Sequence, residues 1–173
     1  MANIISIIFT FFFFGINPSE ESILTEQQEI TTYYFIRHAE KDRSNKEDKD
    51  PSLTEEGLAR ATKWAEVLKD VELDAVYSTD YNRTMQTAFP CAEKNKLSIL
   101  KYDPSNAYTE DFQNATRGKT VLIVGHSNTT PTFVNKILGK EKYADLDDSE
   151  NGALFIVQIL PGGIKTSQVL YFN

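Results

Sequence analysis

A single cysteine, Cys91, stands in a chain of 173 residues. One thiol can neither close an intrachain disulfide nor build a cysteine-rich metal cluster, so the fold must rest on a packed core. Cys91 itself, within Phe89-Pro90-Cys91-Ala92, reads as core filling. Histidine is nearly as scarce, with two in the chain, and there are five arginines. Positive charge is in deficit, since 18 Lys+Arg face 25 Asp+Glu, for a formal net charge of -7 and a pI near 4.9. A general nucleic-acid binder needs broad basic faces to displace counterions, so that class of partner is excluded. Any anion site here must be basic locally. The length suits one domain with a substantial core.

Long hydrophobic runs are missing except at the start, where residues 4–16 are almost wholly apolar and include four consecutive phenylalanines. The run is shorter than the roughly 20 residues a membrane-spanning helix needs and about the length of a signal-peptide core. No lysine or arginine precedes it, and no small-x-small cleavage site is obvious near Gly15. The reading is a signal peptide or membrane anchor over 1–16, with a buried helix as the alternative, followed by a polar linker over 17–30. Export to the periplasm or the extracellular space, or a membrane tether through residues 4–16, is the expectation.

From residue 31 onward, short apolar runs alternate with longer helix-like stretches. That alternation predicts an α/β fold, a three-layer α/β/α sandwich with a mixed, mostly parallel sheet. Residues 32–36 are β-branched and aromatic without alternation, as in a strand buried on both faces, and end at Arg37-His38. A charged loop over 41–50 follows and reads as solvated, with contact to substrate from the pocket rim by Lys41, Arg43, Ser44 and Asn45 as the alternative. Thr54 is placed as the N-cap of a helix to about residue 69, with Glu55 and Glu56 in its first turn and packing through Leu58, Ala61, Ala65 and Leu68. A strand over 74–77 leads to a helix over about 81–94 carrying Arg83 in its first turn. A further strand over 97–102 precedes a loop-like segment over 103–117 with one helical turn. Residues 119–124 form another strand, ending at Gly125-His126-Ser127 before a helix over 128–138. Pro161-Gly162-Gly163 joins two antiparallel strands, 153–160 and 165–171. Trp64 and Tyr81 are assigned to packing.

Both histidines of the chain directly follow a buried strand. Open α/β sheets bind ligands at the carboxyl ends of their strands, so if those two strands are neighbours, His38 and His126 converge on one crevice. Arg37 and Arg83 can reach the same edge. Guanidinium forks suit phosphate oxygens, and the helix after His126 offers backbone N–H donors. A neutral imidazole whose Nδ1–H is held by a carbonyl leaves Nε2 free to attack phosphorus. The spacing matches no usual zinc pattern, and the arginines would repel a cation. No metal and no cofactor is expected.

Arg37-His38-Ala39-Glu40, Leu53-Thr54-Glu55-Glu56-Gly57, Ser78-x4-Arg83-Thr84-x2-Thr87-Ala88 and Gly125-His126-Ser127 stand in that order. Together these blocks resemble the histidine phosphatase superfamily, also called phosphoglycerate mutase-like, over roughly residues 31–160. The resemblance implies a phosphohistidine at His38, phosphate ligands at Arg37 and Arg83, and His126 as the second pocket histidine. It implies a proton donor in the loop before His126, where Glu110 is the candidate and Asp111 and Glu40 are poorer ones. An aspartate directly after the second histidine, which marks one member type, is replaced by Ser127. Large capping inserts are absent, so the chain looks closer to the small open-pocket phosphatases, including those acting on phosphohistidine proteins. A phosphorylated small molecule or a phosphoprotein is the expected partner. A catalytically silent phosphate-binding module and a mutase-type phosphotransferase are the alternatives.

Overall fold

The computed structural model describes residues 29–172, so the segment 1–16 and all of the linker but Glu29 and Ile30 lie outside the described residues. The described chain is a three-layer α/β/α sandwich with a mixed, mostly parallel sheet. Its elements are β1 (Thr31–Arg37), α1 (Glu55–Val67), β2 (Ala75–Ser78), α2 (Asn82–Lys94), β3 (Ile99–Lys101), α3 (Glu110–Thr116), β4 (Thr120–Gly125), α4 (Thr129–Leu138), β5 (Ala153–Ile159) and β6 (Lys165–Tyr171). The sheet order is β3-β2-β4-β1-β5-β6. Neighbours from β3 to β1 run parallel, and β5 is antiparallel to both β1 and β6.

Both faces of the central strands are covered, which is why their sequences read as unbroken apolar runs. Ile36, Val76, Leu122, Val124 and Leu154 face α1 and α2, with Trp64, Ala88 and Cys91 packed against them. Tyr33, Phe35, Val121, Ile123 and Phe155 face the other way, onto Phe112 of α3 and Phe133 of α4. Burial pushes the Cys91 thiol up to about 11, as befits a core residue.

Thr54 caps α1 by accepting from Gly57 N at 3.1 Å, as the sequence predicts. The buried face of α1 differs in one residue. Ala61 and Leu68 are buried, but Leu58 is 49% exposed and Trp64 only 1%. Gly57, Ala61, Trp64 and Leu68 recur at helical spacing, and Leu58 lies about 100° around the helix from Gly57. Gly57 is where the helix meets the site loop, because a Cβ there would overlap the Glu40 carbonyl.

The segment 103–117 holds more helix than its sequence predicts. A 3-10 turn (Pro104–Asn106) precedes α3, which Thr109 caps by accepting from Phe112 N at 3.2 Å. Seven residues are too few for a self-sustaining helix. Phe112 holds it in place, packed within 6 Å of the rings of Tyr33, Tyr77 and Phe133.

Candidate active site

The register of β1 on β4 sets Arg37 opposite Gly125, so the next residue of each strand is a histidine. His38 N donates to the Gly125 carbonyl at 2.9 Å, and the two imidazole centroids are 5.5 Å apart, tilted by 67°. Gly125 has no room for a side chain, since a Cβ would lie 2.7 Å from Thr130 Oγ1 and 2.9 Å from Tyr102 Oη. On the other side of β4, Ser78 of β2 pairs with Val124, and the turn beyond it delivers Arg83 in the first turn of α2. Arg37, His38, Arg83 and His126 thus meet at one edge of the sheet.

His38 is buried and tightly framed. Its carbonyl accepts from Asn151 Nδ2 at 2.8 Å, and the following amide, Ala39 N, donates to Thr87 Oγ1 at 2.9 Å. Its Nδ1 lies 2.7 Å from the Ala39 carbonyl. A carbonyl can only accept, so the proton sits on Nδ1 and Nε2 keeps its lone pair. Burial depresses the His38 pKa to about 3, and the charges of Arg37, His126 and Arg83 push the same way, against the hydrogen bond to Ala39. Burial also takes His126 down to about 4, helped by Arg83, Arg37 and Lys41. Both rings are neutral across the ordinary pH range.

Arg37 is 1% exposed, and a loop holds it from behind. Its Nη1 donates to the carbonyls of Asp147, Asp148 and Glu150 at 2.9 to 3.0 Å, and Nη2 donates to Asp148 Oδ1 at 2.8 Å. Of its five N–H groups, Nε–H and one on Nη2 stay uncommitted, and Nε is buried without a partner. Arg83 lies 4.4 Å above the Tyr81 ring, with Nη1 3.5 Å from Asp50 Oδ1 and a buried, unpartnered Nε. Two unsatisfied guanidinium donors beside two neutral imidazoles form a site short of one anion.

The loop 41–50 does more than meet solvent. Asp50 accepts from Asn82 N at 2.8 Å at the start of α2, and Arg43 pairs with Asp148 at 2.8 Å. Lys41 and Arg43 line a cavity of about 310 Å³ together with His38, Glu40, Glu56 and Asp148. Tyr81 is no simple packing residue either, since it is 41% exposed and its ring stands 5.2 Å from that of His126. Thr79, Thr84, Asp148 and Asn151 also belong to the site; Thr79 and Thr84 lie within the block from Ser78 to Ala88, whereas no motif in the sequence marks Asp148 or Asn151.

Glu110 is not brought to this group. It is exposed at the start of α3, and no hydrogen bond or ion pair joins it to Arg37, His38, Arg83 or His126. Its neighbours Tyr108 and Gln113 line a separate cleft of about 630 Å³ with Thr31 and Pro161, at the opposite edge of the sheet.

Residues 33–104 match the family model of the histidine phosphatase superfamily (branch 1). That stretch holds the blocks around His38, Gly57 and Arg83, and the His126 block lies beyond it. No curated protein matches the chain in sequence. Among solved structures, phosphoglycerate mutase from Bacillus anthracis superposes with a TM-score of 0.63 at 18% identity, covering 83% of this chain and 93% of that one. The protein histidine phosphatase SixA complexed with tungstate gives 0.60 at 18% identity, over 81% of this chain and 96% of that one. Phosphoserine phosphatase from Entamoeba histolytica, in complex with 3-phosphoglyceric acid, gives 0.59 at 16% identity, over 83% and 98%. These likenesses establish the fold.

Proposed function

We propose that the chain is a metal-independent phosphatase that hydrolyses phosphomonoesters or phosphoproteins through a phosphohistidine on His38. The observation that carries this reading is the 2.7 Å contact from His38 Nδ1 to the Ala39 carbonyl, which leaves the Nε2 lone pair unprotonated beside two unsatisfied guanidinium donors. The superfamily match around His38 and the fold shared with SixA, itself complexed with the oxyanion tungstate, support it.

Arg37 and Arg83 neutralise the phosphoryl oxygens through their free N–H groups, and His126 holds a further oxygen. Nε2 of His38 attacks phosphorus in line, the P–N bond forms as the P–O bond to the leaving group breaks, and the leaving oxygen departs as the anion or takes a proton from solvent water. Water then attacks phosphorus, the P–N bond breaks back to Nε2, and inorganic phosphate leaves. The guanidiniums supply the positive charge that a metal would otherwise bring.

Leaving-group protonation has weak support from the protein. Glu40 is tied to Arg60 at 2.6 Å, and Asp148 to Arg37 and Arg43. The Asp148 carboxyl is held below its ordinary range by those hydrogen bonds, Arg43 first. A site without a ready acid suits leaving groups that need none, such as aryl phosphates and the imidazole of a phosphohistidine protein. On this reading the apolar residues 4–16 export the domain or tether it at a membrane, and its substrate is met there.

Phosphate release from p-nitrophenyl phosphate in EDTA tests the proposal. Undiminished release by the full chain, lost in His38→Ala, is the expected result. Release that EDTA abolishes and a divalent ion restores would overturn the metal-independent mechanism.

A further inference from the structure

A line of hydroxyls runs behind His126. Thr79 and Thr84 are fully buried at the carboxyl edge of β2 and in the first turn of α2. Thr84 Oγ1 lies 2.9 Å from the carbonyl oxygens of both Thr79 and Tyr81, which cannot donate. Its one proton therefore points at them, and its lone pairs face Thr79 Oγ1, 3.0 Å away. Thr79 donates to Thr84, and its oxygen is left to accept. His126 Nε2 lies 3.0 Å from that oxygen, so the ring must supply the proton. Nδ1 of His126 has no hydrogen-bond partner among the described residues, and in a neutral Nε2–H ring it carries the lone pair.

We propose that Thr79, oriented by Thr84, is a positioning residue that fixes His126 as the Nε2–H tautomer and leaves Nδ1 for the oxyanion, so that a proton joins Nδ1 when phosphate binds. This deepens the phosphatase reading and rests on it for the identity of the anion. A lone pair facing a phosphate oxygen is repulsive, whereas an imidazolium N–H makes a charge-assisted hydrogen bond. The groups around His126 are Arg37 of β1, His38 just after it, Lys41 from the following loop, and Tyr81 and Arg83 from the start of α2. None is a carboxylate, so nothing in the empty site retains the extra proton. It arrives with the anion.

Ring ¹⁵N NMR of the full chain at neutral pH tests the arrangement, with inorganic phosphate as the probe. The wild type should show Nε2–H alone when free and a doubly protonated His126 when saturated with phosphate. Thr84→Ala removes the acceptor of the Thr79 proton without touching His126. The Thr79 hydroxyl then turns to donate to Nε2, and the neutral ring should switch to Nδ1–H. Thr79→Ser should keep the wild-type pattern. Thr79→Val should lose it and weaken phosphate binding about tenfold, as expected for one lost charge-assisted hydrogen bond. An Nδ1–H ring in the free wild type, an unchanged tautomer in Thr84→Ala, or a Thr79→Ser variant that behaves like Thr79→Val would overturn the proposal. The free-state spectra need no turnover. A wild type that releases no phosphate would therefore sink the phosphatase reading while leaving the tautomer assignment intact.

Discussion

The buried guanidinium of Arg37 grips the exposed carboxylate of Asp148 at 2.8 Å, and the other oxygen of that carboxylate reaches Arg43 at 2.8 Å. An internal anion thus occupies one N–H of the arginine proposed to bind phosphate. The three carbonyl contacts to Nη1 hold Arg37 without it. Asp148→Asn should therefore lower KM for a dianionic substrate up to about fivefold, since a pair whose carboxylate faces solvent is screened and worth about 1 kcal/mol. Steady-state kinetics at low salt would show it, and a higher KM would mean that Asp148 steers Arg37 instead.

Both pocket histidines are held neutral, at about 3 for His38 and about 4 for His126, against an ordinary 6.5. Unfolding returns them to the ordinary value, so between pH 6.5 and about 4 the unfolded state binds more protons. Stability is then full above pH 6.5 and falls with pH through that window, by up to about 1.4 kcal/mol per pH unit for each histidine. Urea midpoints should decline from pH 7 to 4.5, and His38→Ala should flatten the decline by about half. A midpoint constant over that range would contradict the neutral pair.

Glu110 tests the leaving-group chemistry. General acids contribute about a hundredfold or more to esters with poor leaving groups. With Glu110 exposed and unlinked to the histidines, Glu110→Gln should change rates on alkyl and aryl phosphates by less than about twofold. A selective collapse on alkyl phosphates would restore Glu110 as the acid.

Gly125, like Gly57, is a position where the site's geometry depends on the absence of a side chain. Gly125→Ala would press on Thr130 Oγ1 and Tyr102 Oη, costing about 1–3 kcal/mol by overpacking and displacing His126. Thermal unfolding and phosphate release should both register it, whereas Leu58→Ala on the exposed side of α1 should leave both nearly unchanged.

The strands and the histidines at their ends were legible because burial on both faces writes itself as an apolar run, and a polar residue at the end of such a run stands out. The meeting of His38 and His126 was legible only on condition that β1 and β4 are neighbours, which pairing supplies and sequence does not. Helix α3 was not legible, since its seven residues owe their shape to Phe112 packing on Tyr77 and Phe133. Leu58 reads as a core residue in the sequence because an apolar residue one step off the buried stripe has the composition of the core without its direction. Asp148 and Asn151 reach the site from more than a hundred residues along the chain, through β5 and the loop before it. Thr79 and Thr84 lie inside a recognised block, yet hydroxyl direction is a property of three-dimensional partners and leaves no mark in the sequence.

Mass spectrometry of the full chain, quenched in alkali seconds after mixing with p-nitrophenyl phosphate, decides whether His38 is the nucleophile. A transient phosphoryl increment on the peptide holding His38, absent in His38→Ala, is the expected result. Phosphate release with no adduct on that peptide at any quench time would contradict a nucleophilic role for His38.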